Sequence, residues 1–170
     1  MKTETEKIIQ FTLLYNRYKK RLYNFLLKLS GNRITAEDIT QSVFLKLFEN
    51  FEKLNNKENA NFWLFRTARN EYYNYYKREK RKNEFDENII SNREDDFKLE
   101  NYVEIKEIKK IVLGELEKMQ EEQKEVYLLK EYGGLSYKEI SETLDIDVNL
   151  VKSRLYKVRQ KLINKISKIV

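Results

Sequence analysis

The chain has 170 residues, 36% of them charged, and carries a net charge of +6. It holds neither cysteine nor histidine, which excludes thiol nucleophiles, disulfides, histidine acid–base chemistry and cysteine or histidine metal sites. Proline is absent and glycine occurs four times, so the residues that break helices and shape tight hairpins are scarce, and an all-α fold is expected.

The opening MKTETEKIIQ lacks the apolar core of a secretion signal. No apolar run approaches the roughly 20 residues needed to span a bilayer. A cytoplasmic protein without membrane insertion is the simplest expectation. The basic excess suits a polyanionic partner, and it is unevenly placed. Residues 66–82 hold seven Lys or Arg against two Glu, and residues 148–170 hold seven against no acid. Between them, residues 83–100 hold two basic and seven acidic side chains and little that could be buried. That composition predicts a flexible acidic linker joining two small helical domains, residues 1–82 and 101–170.

The first domain opens on Ile8, Phe11, Leu14, Tyr15, Tyr18, Leu22, Phe25, Leu26 and Leu29. Steps of three and four predict one or two amphipathic helices, stopped by Gly31. In TAEDITQSVFLKLFENF, Thr35 with Asp38 resembles a capping box, and Ile39, Val43, Leu47 and Phe51 line the inward face. A polar loop, EKLNNKENAN, leads to a third helix. With Phe65 at 0° and 100° per residue, Ala68, Tyr72 and Tyr76 fall within about 60° of it. Tyr72 and Tyr76 are therefore expected in the core. Tyr73 and Tyr75 remain as surplus aromatics on a basic helix, suited to stacking on bases.

The second domain holds four helical pieces. Gly133-Gly134 ends the second, and Ser136 with Glu139 forms a capping box for the third. In the last, Val151, Leu155, Val158 and Leu162 make a narrow apolar stripe. Asn149, Ser153, Tyr156 and Gln160 oppose it, flanked by Lys152, Arg154, Lys157 and Arg159. A short helix, a tight turn and a second helix with a polar, basic outer face form a helix-turn-helix.

These motifs resemble a known family. AEDITQSVFLKLFENFEKL is similar to the second conserved region of bacterial sigma factors of the extracytoplasmic-function (ECF) group. WLFRTARNEYYNYYKREKRK resembles that group's promoter-melting and −10-reading helix, and LSYKEISETLDIDVNLVKSRLYKVRQKL its −35-reading helix-turn-helix. The likeness runs from about residue 11 to 165, with the acidic segment in the expected place. It implies a region 2-like domain and a region 4-like domain, with core RNA polymerase, through its β and β′ subunits, and promoter DNA as partners. An anti-sigma factor or other recruiting protein is a further partner that the family often uses.

The resemblance also implies roles. Asp38, Gln41, Phe44 and Phe48 would dock on the polymerase clamp, an acidic helix tip with an apolar knob facing a basic coiled coil. Asn55, Asn56, Asn59, Asn61, Arg66, Arg69, Asn70, Tyr73, Asn74 and Lys77 would hold the −10 strand, whose base must leave the stack at a cost of a few kcal/mol. Ser136, Asn149, Lys152, Ser153, Arg154, Tyr156 and Lys157 would read the −35 element. Trp63 matches a family tryptophan and is expected in the core rather than at a contact, and the linker would thread towards the polymerase active centre. No cofactor, metal or catalytic residue is implied, and the chain is expected not to be an enzyme. Four places depart from the family pattern. Ser42 stands where an acid is usual, Met119-Gln120 where Leu-Pro is common, Leu150 where a threonine is usual, and NEYYNYY is unusually aromatic. A stand-alone helix-turn-helix regulator and a helical protein–protein adaptor are the alternatives from residue chemistry alone.

Overall fold

The computed structural model describes residues 3–54, 59–85 and 103–169, and these divide between two compact units, residues 1–94 and 95–170. Every regular element among the described residues is helical.

The first unit contains α1 (Glu4–Ser30), α2 (Arg33–Glu49), a short 3-10 turn (Phe51–Lys53) and α3 (Ala60–Phe85). α1 is one continuous helix. It begins at a capping box in which Thr3 and Glu6 satisfy each other's backbone N–H, and it ends at Gly31 in the left-handed region, φ 63°. A side chain there would be strained. α2 starts at Arg33, two residues ahead of the expected Thr35. Asn32 is its cap and accepts from the Thr35 N–H at 3.0 Å. Thr35 is itself buried inside the first turn, which leaves it no capping role. The three helices pack on one another in pairs around Leu22, Phe25, Leu26, Val43, Leu47, Leu64, Phe65 and Ala68, all inaccessible to solvent. An ion pair between Lys46 and Glu71 ties α2 to α3. α3 runs on to Phe85, past the expected domain boundary at residue 82. Residues 86–100, most of the expected linker, lie outside the described residues.

The second unit contains α4 (Val103–Glu117), α5 (Glu121–Glu131), α6 (Tyr137–Leu144) and α7 (Val148–Ser167). α7 is the central element and packs on each of the other three through Val151, Leu155, Val158 and Leu162, all buried as their spacing predicts. The expected capping box at the start of α6 is formed. Ser136 accepts from the Glu139 N–H at 3.1 Å, and Glu139 accepts from the Ser136 N–H at 2.8 Å. The turn between α6 and α7 uses Asp145 in the left-handed region, φ 54°, a conformation that Asp tolerates better than most residues. The Ser141 hydroxyl donates to the Ile146 carbonyl across the turn. Asp147 then caps α7, accepting from the Asn149 N–H at 2.7 Å.

Candidate nucleic-acid interface

α7 presents the polar face that its spacing predicts. Asn149, Lys152, Ser153, Tyr156 and Lys157 are exposed and Arg154 is half-buried. Tyr156 is 65% exposed, a large aromatic surface beside lysines. The basic flank is not uniform. Arg159 donates to Glu131 Oε1 at 2.9 Å, a bond that raises its pKa above the usual value, and Lys161 donates to Gln123 Oε1 at 3.3 Å. Those two cations are held against α5. Arg154 and Lys157 make no such bond among the described residues, and Lys157 is on the exposed side. Lys130 and Lys152 lie 4.9 and 5.8 Å from the centre of the Tyr137 ring. This ring, absent from the sequence-based set, therefore lies between a cation of α5 and one of α7. Ser136, at the head of α6, is exposed even while it caps the helix.

On α3 the placement is more selective. Asn59, Arg66, Asn70, Asn74 and Lys77 are exposed, and Asn61, Arg69 and Tyr73 are half-buried. On a helical projection Arg66, Arg69, Asn70, Tyr73, Asn74 and Lys77 fall within about 140° of arc, one face of amides, rings and cations, and Asn61 lies about 80° outside it. Asn55 and Asn56 lie outside the described residues. The tyrosines do not follow the sequence-based assignment. Tyr72 is buried at 9% exposure, as expected, but Tyr76 is 51% exposed. Tyr75, expected on the outside, is half-buried, with its hydroxyl accepting from Thr35 at 3.4 Å. Leu64, Ala68, Tyr72 and Tyr75 show that the covered arc is centred about 60° away from Phe65, which sits at its edge. Taking Phe65 as the centre carried Tyr76 inward and Tyr75 outward.

The outer rings are braced. Tyr73 meets Tyr72 edge-on with centroids 5.2 Å apart, and Tyr76 lies 6.2 Å from Tyr72 at 31° between planes. The Arg69 guanidinium sits 4.9 Å from the centre of the Tyr73 ring. Two accessible rings thus rest on a buried third, next to exposed Lys77, Arg78, Lys80 and Arg81. Trp63 is half-buried.

α2 corrects the expected protein-docking set. Phe44 is 4% exposed and packs against Tyr15 and Phe11, with centroids 4.8 and 6.5 Å apart. It is core and cannot serve as a projecting knob. Phe48 is half-buried against Phe11 at 5.1 Å, with Lys7 Nζ 4.7 Å from its ring centre. Asp38 and Gln41 are exposed. They share their face with two leucine-like residues missed in the sequence, Ile34 at 71% and Leu45 at 61% exposure. The steps 34, 38, 41 and 45 span about 60° of arc. Helical spacing alone could have found this strip. Asp38 lies beyond the first turn of α2, which holds no acid, so the helix dipole, whose effect fades after that turn, does not account for it.

A helix-turn-helix with a basic reading face, joined in one chain to a three-helix unit with an aromatic, basic face, defines a nucleic-acid-binding transcription protein. The comparisons narrow the class. Residues 14–82 match the family model Sigma-70 region 2, and residues 109–162 match Sigma-70, region 4. The chain is 28% identical to the ECF RNA polymerase sigma-E factor of Haemophilus influenzae, over 94% of this chain and 89% of the relative. It is 29% identical to the ECF RNA polymerase sigma factor SigM of Bacillus subtilis, over 88% and 90%. Among solved structures, the fold matches the sigma factor RpoE from Bartonella quintana, crystallised with the anti-sigma factor NepR. The TM-score is 0.72 at 20% identity, covering 92% of this chain and 96% of that one. It also matches CnrH in complex with the cytosolic domain of CnrY, with a TM-score of 0.64 at 18% identity, covering 93% and 88%. The chain belongs to the sigma-70 family of RNA polymerase sigma factors, in its extracytoplasmic-function group.

Proposed function

We propose how this chain divides the work of its family among its helices. As an ECF sigma factor it binds core RNA polymerase and directs transcription initiation at specific promoters. The polymerase performs the chemistry, and the chain contributes recognition without catalysis of its own, in the cytoplasm where both partners work. No helix among the described residues is long and apolar enough to cross a membrane.

The α2 strip is the clamp-docking surface. Asp38 and Gln41 supply charge and hydrogen bonding, Ile34 and Leu45 supply the apolar contact, and Phe48 borders it. Phe44 supports the strip from beneath. The α3 face takes the melted −10 strand, with Asn59, Asn61, Asn70 and Asn74 reading base edges. Tyr73 and Tyr76 offer stacking surfaces, and Arg66, Arg69 and Lys77 hold phosphates. Asn55 and Asn56 belong to the same set by their place in the amide-rich loop. On α7, Asn149, Ser153 and Tyr156 face base edges, while Lys152, Arg154 and Lys157 bind the backbone. Ser136 adds a phosphate contact from the head of α6. Residues 1–82 and 101–170 are the two functional domains, and residues 83–100 the connection between them. By likeness to the solved neighbour crystallised with the anti-sigma factor NepR, a protein of the anti-sigma kind is the expected regulator.

The observation that carries this division is exposure. Among the described residues assigned to DNA on α3, α6 and α7, none is buried. The test is reconstitution of the purified chain with sigma-free core polymerase on fragmented genomic DNA, with transcript starts mapped. Starts that share a spaced −35/−10 pair and require the chain are the expected result. Binding to core without starts would point to a missing recruiter. Absence of core binding would refute the assignment of α2.

A further inference from the structure

The DNA-facing half of α7 carries one exposed residue that polar chemistry does not explain. Leu150 lies in the first turn and is 40% exposed. Its neighbours are exposed Asn149 and buried Val151. On a helical projection it falls about 20° from Lys157 and 40° from Arg154, on the flank of the strip made by Asn149, Ser153 and Tyr156. Isolated surface leucines are ordinary. Over residues 148–155, however, Leu150 is the one large apolar side chain among the described residues with such exposure, and it sits where amides, hydroxyls and cations surround it.

A leucine side chain can neither form a hydrogen bond with a base edge nor hold a phosphate. Base pairs present donors and acceptors in the major groove, with one prominent apolar exception, the 5-methyl group of thymine. The N-terminal residues of the second helix in a helix-turn-helix are those that reach base edges. We infer that Leu150 reads a thymine methyl in the −35 element and thereby helps to set which promoters the chain selects. The inference rests on the −35 role given to α7 above. It adds a sequence-selecting residue that contributes by apolar contact, where the neighbouring side chains contribute by hydrogen bonds and charge.

The probe is deoxyuridine, which removes the thymine methyl and keeps every base-pairing group. A promoter obtained by start mapping is rebuilt with deoxyuridine at each −35 thymine in turn, on either strand. Open-complex formation is then measured with the full chain on core polymerase. At one position, removal of the methyl should weaken complex formation about fourfold, the effect of losing one buried methyl group. Leu150→Ser should abolish the dependence at that position and leave other positions unchanged. Leu150→Met should retain it. Leu150 is 40% exposed, so Leu150→Ser should lower the thermal unfolding midpoint by only a few degrees and Leu150→Met should leave it unchanged, which checks that a loss is not one of folding. Tolerance of deoxyuridine at every position, or unchanged methyl dependence in Leu150→Ser, would overturn the assignment while leaving polymerase-dependent starts intact. Polymerase-dependent starts that share no −35 element would refute the −35 role itself, and the Leu150 assignment with it.

Discussion

Tyr72, Tyr73 and Tyr76 are chemically alike and within five residues of one another, yet they have different environments. Tyr72 is enclosed by the three-helix core. Its truncation to alanine should cost about 3–5 kcal/mol, read as a lower urea midpoint. Tyr73 loses an edge contact and a guanidinium contact on truncation, about 1 kcal/mol of stability. Its stacking on the melted strand is worth on the order of 1–3 kcal/mol. Tyr73→Ala should therefore fold and form open complexes roughly tenfold less well. A Tyr73→Ala protein that unfolds as early as Tyr72→Ala would refute the outward role. The neighbours Phe44 and Leu45 make a second contrast. Phe44→Ala should destabilise the first unit by about 3–5 kcal/mol. Leu45→Asp should leave the unfolding midpoint nearly unchanged and weaken core-polymerase binding at least tenfold, as expected when an apolar anchor is removed from an interface. Reversed outcomes would return the docking knob to Phe44.

At the scale of elements, the head of α6 combines structure with recognition. Ser136 caps the helix and is also assigned to DNA. Ser136→Ala should cost about 1 kcal/mol of stability through the lost cap. Asp is as good a cap, so Ser136→Asp should restore the melting temperature, while its charge repels phosphate and lowers promoter occupancy. Equal promoter occupancy in native and Ser136→Asp proteins would confine Ser136 to capping. α5 carries a pH dependence. Burial pushes the phenols of Tyr127 and Tyr132 above their usual value of 10.0, and the nearby Glu131 carboxylate pushes the same way. The neutral phenol is thus the form the fold prefers. Its contribution is complete below pH 10 and is lost as pH rises through the elevated folded values. Alkaline titration followed by circular dichroism should show helix loss beginning above pH 10, and Tyr127→Phe with Tyr132→Phe should shift that loss to higher pH. An unshifted profile would assign alkaline unfolding to other groups.

For the whole molecule, charge is the organising quantity. The segments 66–82 and 148–170 are strongly basic, and 83–100 is acidic. Affinity of the reconstituted holoenzyme for its promoter should fall with salt as counterions are released. Lys157→Ala should reduce the slope of log affinity against log salt by about 1, because one phosphate contact is lost. Asn149→Ala should lower affinity at all salt concentrations without changing the slope, because its partner is a base edge. A slope change from Asn149→Ala and none from Lys157→Ala would exchange the two roles. The basic end of α7 does not enter this count, since Arg159 and Lys161 are already bonded to α5.

Residue order alone was enough for the helices, the helix-turn-helix, the Ser136 capping box, the stop at Gly31 and the stripe from Val151 to Leu162. Each depends on neighbours within four positions or on a period of 3.6 residues. Resemblance supplied the family and the candidate surfaces. The burial of Phe44, the exchange of Tyr75 for Tyr76 and the exposed pair Ile34 and Leu45 required packing. A helical period gives each side chain an angle but not the width or centre of the arc that neighbouring helices cover. α2 is flanked by both α1 and α3, so its covered arc widens to about half the helix and takes in Phe44. On α3 the arc is displaced from Phe65, so Tyr76 emerges and Tyr75 turns inward. The helical periods recorded which residues were apolar, and the contacts of one helix with the next decided which of them remained at the surface for polymerase and DNA.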